Sequence, residues 1–460
     1  HGPLHDRFKM ACSKSKAKDW DRAVLESYTT LLSELRTAPH LLIVACRATF
    51  PAKSVAAMLK SLNPNMVIHA TSSCRGCITS HGHQSFGLLG IVDTQGCYTT
   101  ALCRGATNAE TARGAGREAA HRAMAAASGI KPGMKPAVAV INGAPSCEEL
   151  VLAGIEDVLG SDVPVIGGSS ADEDINGSWW AFARMPPGDQ VDVAGDGIVV
   201  TLMWPSVQTK MLMSSPFQPT AARGRVTRAS GRVIYEIDGK RAANVYADWS
   251  GSDAFRAKVM QVEAGGEAQS VLDDTTLSPL GRESVLTRSV SFGKDSALAE
   301  TSLSEGSLRE NSSLKERSSL MEDARHHLLV HPSRVVEGGG LECFAKCEEG
   351  ELLVLMASPD GLQTLVDHPT NVMETAHMDD GRILGCLIVY CGGCARAIDK
   401  ELHNVAQSFQ NALGGGSVDG QGGGRPLLGM FTYGEQCRVQ DGRNQHVNLM
   451  YAVLAFCESE

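Results

Sequence analysis

Residues 163–172 read Val163-Pro164-Val165-Ile166-Gly167-Gly168-Ser169-Ser170-Ala171-Asp172. A short apolar run closed by paired glycines, hydroxyls and an acid is the pattern of a buried strand ending in a tight turn. Such a turn exposes backbone N–H groups, and Ser169, Ser170 and Asp172 place two hydroxyls and a carboxylate beside them. Upstream, Ala137–Asn142 is another strand-sized apolar run and Cys147–Leu159 has helical periodicity, so strand, helix and strand follow one another. This order predicts a layered α/β unit.

The alternation extends in both directions. Trp20, Val24, Leu25, Tyr28, Leu31, Leu32 and Leu35 fall at three- and four-residue spacings, an amphipathic helix over Trp20–Arg36 that stops before Pro39. Strands are predicted at His40–Arg47, Met66–Thr71, Phe86–Val92 and Cys97–Cys103, with helices at Ala52–Leu62 and Ala109–Ala127. From Ser178 to Ile237 strands are divided by turn signals such as Asp196-Gly197 and Asp238-Gly239. Ala264–Ala324 then holds 13 serines among scattered Glu, Arg and Leu, with no sustained period, which reads as a linker or insertion. Strands resume at Leu353–Met356 and Ile383–Tyr390, followed by a helix Ala395–Leu413, a glycine-rich loop Gly414–Gly424 and strands Leu427–Thr432 and Asn448–Phe456.

The predicted fold is therefore mixed α/β (α+β), two layered sheet-and-helix domains joined by a serine-rich linker. The expected divisions are an N-terminal extension with a helix over 1–39, a first domain over 40–250, the linker over 251–325 and a second domain over 326–460.

The 460 residues are 43% hydrophobic and 20% charged, which excludes disorder as the whole answer. A net charge of −10 argues against nucleic acid as a partner, because phosphate binding needs a positive surface. No apolar run is long enough to span a bilayer. Fourteen cysteines without the spacing of a disulfide scaffold suit a reducing, intracellular compartment. The start at His1 with the basic stretch Lys9–Lys18 behind it leads to an expectation of cytoplasm or plastid.

Few residues carry a chemical signal. Gly114-Ala115-Gly116 imitates a dinucleotide fingerprint but falls inside a helical stretch, and P-loop, zincin and serine-hydrolase signatures are absent, so no cofactor is expected. Cys391-Gly392-Gly393-Cys394 follows a strand and precedes a helix, where amide dipoles favour thiolate and Arg396 adds positive charge; the plainer reading is a glycine turn with passive thiols. Cys74, Cys77, His81 and His83 offer four zinc-type ligands within ten residues, weighed against a solvated loop, which is preferred.

The run Val163–Asp172 resembles the P-V-x-G-G-S-A-x-D signature of the FIST domain, a sensory module named for F-box and intracellular signal transduction proteins. Ile141-Asn142-Gly143, the helix through Glu148–Leu159 and the strand pair at Phe86–Cys103 stand in the family's order, as do Val233–Gly239 and Val245-Tyr246 downstream. Ile388-Val389-Tyr390-Cys391 is similar to a strand of the family's C-terminal half, Gly429–Glu435 to its Gly-Phe-x-x-x-Gly-Glu segment, and Asn448 to its terminal Asn. Two positions depart: Cys394 stands where the family has Arg, with Arg396 two residues on, and Met450 stands where it commonly has Thr.

The resemblance implies intracellular sensing of a small ligand, amino acids for many members, with no reaction implied and so no enzyme expected. Some bacterial members sense through haem, for which His69, His121 and His403 are the candidates here, none with distinguishing context. The implied ligand site draws Gly167, Gly168, Ser169, Ser170 and Asp172 from the first half and Cys391, Arg396, Tyr433, Glu435 and Asn448 from the second. The alternative for the first five is structural: the glycines shape a turn and Asp172 caps a helix. Three readings of function follow. One is a sensor that binds an amino-acid-like ligand between its halves and acts through a protein partner. Another is a scaffold or connector in a larger, possibly plastid, assembly with the serine-rich linker docked on a partner. The third is a thiol-dependent enzyme using Cys391.

Overall fold

The structure is a computed structural model that describes residues 7–13, 15, 17–188, 191–283, 327–375, 383–413, 424–439 and 442–458. Most of it is one motif used three times: a strand, a helix, a strand, a helix, a parallel strand, a hairpin and a closing strand. The first repeat is β1 (Phe8–Cys12), α1 (Trp20–Leu35), β2 (Leu41–Cys46), α2 (Ala52–Leu62), β3 (Val67–Ser72), the hairpin β4 (Cys77–Thr79) and β5 (Gly82–Gln84), and β6 (Phe86–Asp93). The second is β7 (Cys97–Arg104), α3 (Ala112–Ala127), β8 (Val138–Gly143), α4 (Glu148–Leu159), β9 (Val165–Ser169), the hairpin β10 (Ala181–Arg184) and β11 (Asp192–Ala194), and β12 (Gly197–Trp204).

The third repeat opens with β13 (Gln208–Ser214) and is interrupted by an insertion. The insertion holds β14 (Gln218–Ser230), β15 (Val233–Ile237), β16 (Lys240–Arg241), α5 (Ala242–Ser250), α6 (Asp253–Glu263), β17 (Gln269–Ser270), α7 (Leu272–Thr275) and β18 (Leu280–Glu283). It continues with β19 (His327–Val330), β20 (Pro332–Val336), β21 (Gly340–Cys343) and β22 (Leu352–Ala357). The repeat then resumes: α8 (Leu362–Thr375), β23 (Ile383–Cys391), α9 (Gly392–Ala397), α10 (Leu402–Ala412), β24 (Leu427–Thr432), the hairpin β25 (Glu435–Arg438) and β26 (Asn444–Val447), and β27 (Tyr451–Cys457).

Each repeat nucleates a six-stranded sheet, and the orders are β1-β6-β2-β3-β10-β11, β7-β12-β8-β9-β25-β26 and β13-β27-β23-β24-β4-β5. The central pairs β2–β3, β8–β9 and β23–β24 are parallel. The hairpins are exchanged in a ring: the first completes the third sheet, the second the first sheet, and the third the second. The mixed α/β class predicted from the alternation of elements is thus the observed one. The two parts of the sequence, however, meet within shared sheets and are not merely tethered.

The physical logic of the strands follows from this layering. β2, β8 and β23 are buried almost throughout because helices cover one face of each sheet and the other two sheets cover the other face, which is why they read as continuous apolar runs. Leu41 and Ile43, Val140 and Ile166, and Leu387 and Leu454 meet in a core enclosed by all three sheets. Outside it, α1 and α2, α3 and α4, and α8 and α10 each pack a separate core on one sheet. The insertion curls a further sheet around α5 and α6 with its own core, in which Tyr246 and Phe255 lie with ring centroids 4.6 Å apart.

Several differences from the sequence expectation have clear causes. Cys74–His83 is no solvated loop, since β4 and β5 pair there and Cys77 and Ile78 are buried against the third sheet. The expected extension contributes β1, which pairs with β6 at the edge of the first sheet. Within the expected linker, α6, β17, α7 and β18 are ordered as far as Glu283, and Phe255, Val259 and Val262 give α6 a buried face. Residues 284–326 lie outside the described residues, as do 414–423 of the glycine-rich loop. The helix expected over Ala395–Leu413 breaks near Ile398 into α9, a 3-10 turn at Asp399–Glu401 and α10.

Gly116 explains the false dinucleotide signal: a Cβ there would lie 2.2 Å from the Val151 carbonyl oxygen, and one on Gly154 would lie 1.9 Å from that of Arg113. These glycines let α3 and α4 approach closely. Gly154→Ala is expected to cost about 1–3 kcal/mol in denaturant unfolding through overpacking. Gly114→Ala, which meets nothing within 4 Å, is expected to be neutral or to gain up to about 1 kcal/mol.

Candidate functional site

The strand ends after β3, β9 and β24 converge. Ala171 N–H donates to the Ser72 carbonyl (3.1 Å), Cys74 N–H to that of Phe431 (3.2 Å) and Tyr433 N–H to that of Ser169 (3.0 Å), a ring of bonds joining the three repeats. Beyond this ring a cavity of about 420 Å3 opens, walled by residues after β3 (Cys74, Arg75), β8 (Pro145, Ser146), β9 (Glu173, Ile175, Trp179), β23 (Cys391–Gly393, Arg396) and β24 (Tyr433, Gly434). The insertion covers it with Arg232, Leu272, Asp273, Thr276, Leu277, His331 and Phe344. A cavity of this size suits a small organic molecule, and the carboxyl ends of parallel strands are where layered α/β folds bind ligands.

Four of the ten residues proposed from sequence lie on the cavity wall: Cys391, Arg396, Tyr433 and Asn448. The other six do not. Gly167 and Gly168 lie inside β9, where a Cβ on Gly167 would fall 1.8 Å from the Ile141 carbonyl oxygen and one on Gly168 2.3 Å from Thr432 Oγ1. They permit close strand packing, and the Gly168 carbonyl accepts from Asn142 Nδ2 at 2.7 Å. Ser169 Oγ donates to Glu148 Oε1 (2.8 Å), and Ser170 Oγ bonds with Thr71 Oγ1 (2.8 Å). Asp172 is buried and accepts from the N–H groups of Ile175, Asn176 and Ser178, which folds the loop bearing Ile175 and Trp179. It also receives the Tyr433 hydroxyl (3.0 Å), so it acts on the cavity through Tyr433. Trp179 and Tyr433 make an edge-to-face pair with centroids 6.3 Å apart.

Glu435 is fully buried and lies behind Cys391; its carboxylate oxygens accept from Thr432 Oγ1 (3.3 Å) and Met450 N–H (3.2 Å). Burial and the neighbouring Cys391 sulfur push Glu435 well above the ordinary carboxylate range. Burial also opposes ionisation of Cys391, but the Cys394 side chain and the backbone N–H groups of Cys394, Gly393 and Leu449, all directed at its sulfur, outweigh it and bring the thiol below its usual value. Cys394 moves the other way, raised by its bond to Cys391 and by burial. Asn448 Oδ1 accepts from His331 N–H (3.2 Å), fixing the insertion against the strand ends.

Two charged groups on the wall have no ionic partner among the described residues: Arg396 on α9 and Asp273 on α7. The other charges are engaged. Arg75 lies near Glu173 (3.6 Å) and Asp399 (3.4 Å), and Glu173 also holds Arg47 (3.0 Å). Arg232 of the insertion reaches both Glu148 (2.5 Å) and Glu149 (2.7 Å) at the start of α4. Sequence reading missed Arg232, Asp273, Trp179 and Phe344; the insertion's place in the fold, which puts three of them here, leaves no mark in local periodicity.

Neither the zinc candidates nor His69 forms a metal site among the described residues. Among the described residues no three His, Cys, Asp or Glu side chains converge to hold a metal. Cys74 lines the cavity while Cys77 lies in the central core, and His83 Nε2 bonds to the Arg75 carbonyl (2.5 Å). His69 is fully buried, with one ring nitrogen on Thr201 Oγ1 and the other on Asn142 Oδ1, both at 2.8 Å, so neither is free to ligate iron.

Comparison with known proteins gives a consistent picture. The FIST N domain family matches residues 40–240 and the FIST C domain family residues 242–438. An uncharacterized protein of Methanocaldococcus jannaschii is 34% identical over 96 residues, 20% of this chain; the match spans only 18% of that relative's length. Two solved structures of cyanuric acid hydrolase, one from A. caulinodans, are similar at TM-scores of 0.29 and 0.26. They are 11% and 10% identical and cover 56% and 76% of this chain, and 90% and 100% of their own. At such TM-scores the likeness bears on neither fold nor reaction.

The Arg232 latch has a predictable acid response. Burial raises Glu149, but His446 and Arg232 outweigh it and hold the carboxyl at about 2, below its ordinary 4.5. A lowered folded-state value means that the stabilisation is present above about pH 4.5 and is lost as pH falls toward 2. Arg232→Met should cost about 3 kcal/mol at pH 7 in denaturant unfolding, and its difference from the parent protein should shrink between pH 4.5 and 2.

Proposed function

Because the chain belongs to the FIST family, we propose that its cavity is the ligand site of a sensory protein and that the ligand is an amino acid or a close relative. FIST domains are sensory, ligand-binding modules, which sets the class of function. The observation that carries the finer reading is the pair of opposite charges lining one cavity, Arg396 from the core and Asp273 from the insertion, neither with an ionic partner among the described residues. Arg396 suits a carboxylate and Asp273 an ammonium, and Trp179, Tyr433 and Phe344 supply apolar surface for a side chain. Arg396 stands two residues after the position where relatives carry Arg, so the guanidinium is displaced along the chain but remains at the cavity.

Arg396 belongs to the three-repeat core and Asp273 to the insertion. A zwitterion held by both ties the insertion to the core, and this differential contact is what a sensor needs to shift between two states. The altered position of the insertion is then what a protein partner reads. The connector reading rests on the serine-rich segment, whose residues 284–326 lie outside the described residues, and no feature of the cavity favours it.

A thermal-shift panel of the twenty amino acids and their α-keto acids tests the reading. A cognate ligand at a hundredfold excess over its Kd is expected to stabilise the protein by about 2.7 kcal/mol. Arg396→Ala and Asp273→Asn are each expected to weaken binding by about 10- to 100-fold, the loss of one charge-assisted hydrogen bond. A panel with no stabilising compound, or variants that bind as tightly as the parent, would sink it.

A further inference from the structure

The cavity holds a second chemistry that ligand binding does not use. Cys391 opens into it, Cys394 follows at i+3 with its side chain bonded to the Cys391 sulfur, and the buried carboxyl of Glu435 abuts the same sulfur from β25. The backbone N–H groups of Gly393, Cys394 and Leu449 point at that sulfur. Of the other thiols near the cavity, Cys74 is pushed well up by burial and by the Glu173 carboxylate, and its sulfur donates only a long bond to the Gly392 carbonyl (3.9 Å). One sulfur is thus surrounded by donors, with a resolving thiol and a carboxyl in contact, at the wall of a space that admits small molecules.

We infer that Cys391, with Cys394 and Glu435, is a site of two-electron oxidation by a hydroperoxide. The thiolate of Cys391 attacks one peroxide oxygen; an S–O bond forms, the O–O bond breaks, and the departing alkoxide or hydroxide takes the proton of Glu435. The sulfenic acid at Cys391 is then attacked by Cys394. An S–S bond forms, the S–O bond breaks, and the leaving hydroxide takes the Cys394 proton as water. Cys391 gives its proton to solvent on ionising and Glu435 regains one from solvent afterwards, so that in sum two thiols and one hydroperoxide give one disulfide, one alcohol or water, and one water.

Glu435 decides between oxidants. Hydroxide and alkoxide are poor leaving groups that need a proton at the moment of cleavage, and the Glu435 carboxyl lies against the reacting sulfur to supply it. A thiolate leaving a small disulfide needs none. The cavity also restricts the oxidant by size, because Cys391 is only 4% exposed. The inference concerns a modification of the protein and not turnover, and it stands whether or not an amino acid binds, since every readout below is taken without ligand.

The reduced protein is treated with one equivalent of hydrogen peroxide, quenched by alkylation and mapped by peptide mass spectrometry. A Cys391–Cys394 disulfide is expected, forming at least tenfold faster than any oxidation of the half-buried Cys147. In Cys394→Ser, dimedone should trap a sulfenic acid at Cys391; in Glu435→Gln, the rate should fall by about 10- to 100-fold. Oxidation of Cys391 no faster than that of Cys147 would overturn the inference, as would a disulfide to Cys74 instead. The map of the unaltered protein decides the matter even where a variant fails to fold. Oxidation by oxidised glutathione in preference to peroxide would show a disulfide-exchange thiol and equally overturn it.

Discussion

Every parallel strand pair in this fold leaves a row of backbone N–H and C=O groups on the outer side of its second strand, and buried strands cannot leave such groups unpaired. The structure meets this constraint by hairpin exchange. β10 pairs with β3 through Phe182 and Ala70, β25 with β9 through Gln436 and Gly167, and β4 with β24 through Ile78 and Gly429. Each edge is thereby closed by a segment that its own repeat did not supply. The central core, the ring of inter-repeat hydrogen bonds and the position of the cavity all depend on this closure.

The three repeats share a frame but not a chemistry. The last residue of the first parallel strand is Cys46 in one repeat, Gly143 in the second and Cys391 in the third, each paired with the end of the next strand at Ser72, Ser169 and Thr432. Cys46 is fully buried and its thiol is raised by burial, and Gly143 has no side chain to offer. Only the third position combines a sulfur with a glycine turn whose amides face it. The insertion belongs to the same repeat, so the part of the fold that departs most from its two counterparts is also the part that builds the cavity.

Much of this was legible in the sequence because the governing physics is local. The helix predicted over Ala52–Leu62 has the observed limits of α2, and the strand predicted over His40–Arg47 contains β2, an uninterrupted apolar run. Gly167 and Gly168 marked the right place in the fold for a reason other than the one their exposure of N–H groups suggested, since they pack against Ile141 and Thr432. Cys391, Arg396, Tyr433 and Asn448 came from the family resemblance, and the structure puts all four on the cavity wall. What local reading could not reach was long-range: that β25 completes a sheet begun at β7, that Asp172 serves Tyr433, and that Arg232 crosses from the insertion to α4. These are pairings between residues far apart in sequence, and composition and period carry no trace of them.

The ring of exchanged hairpins also sets an order on biosynthesis. The second repeat has made all of its own strands once Trp204 has left the ribosome, yet the segment that closes its sheet begins at Glu435, more than two hundred residues later. At cellular rates of about 5–20 residues per second, β9 waits roughly ten seconds to most of a minute with an open edge. During that interval the nascent chain presents a sticky strand rich in glycine and apolar residues to whatever is nearby. An edge left open for that long is a cost this topology carries from the moment the chain emerges.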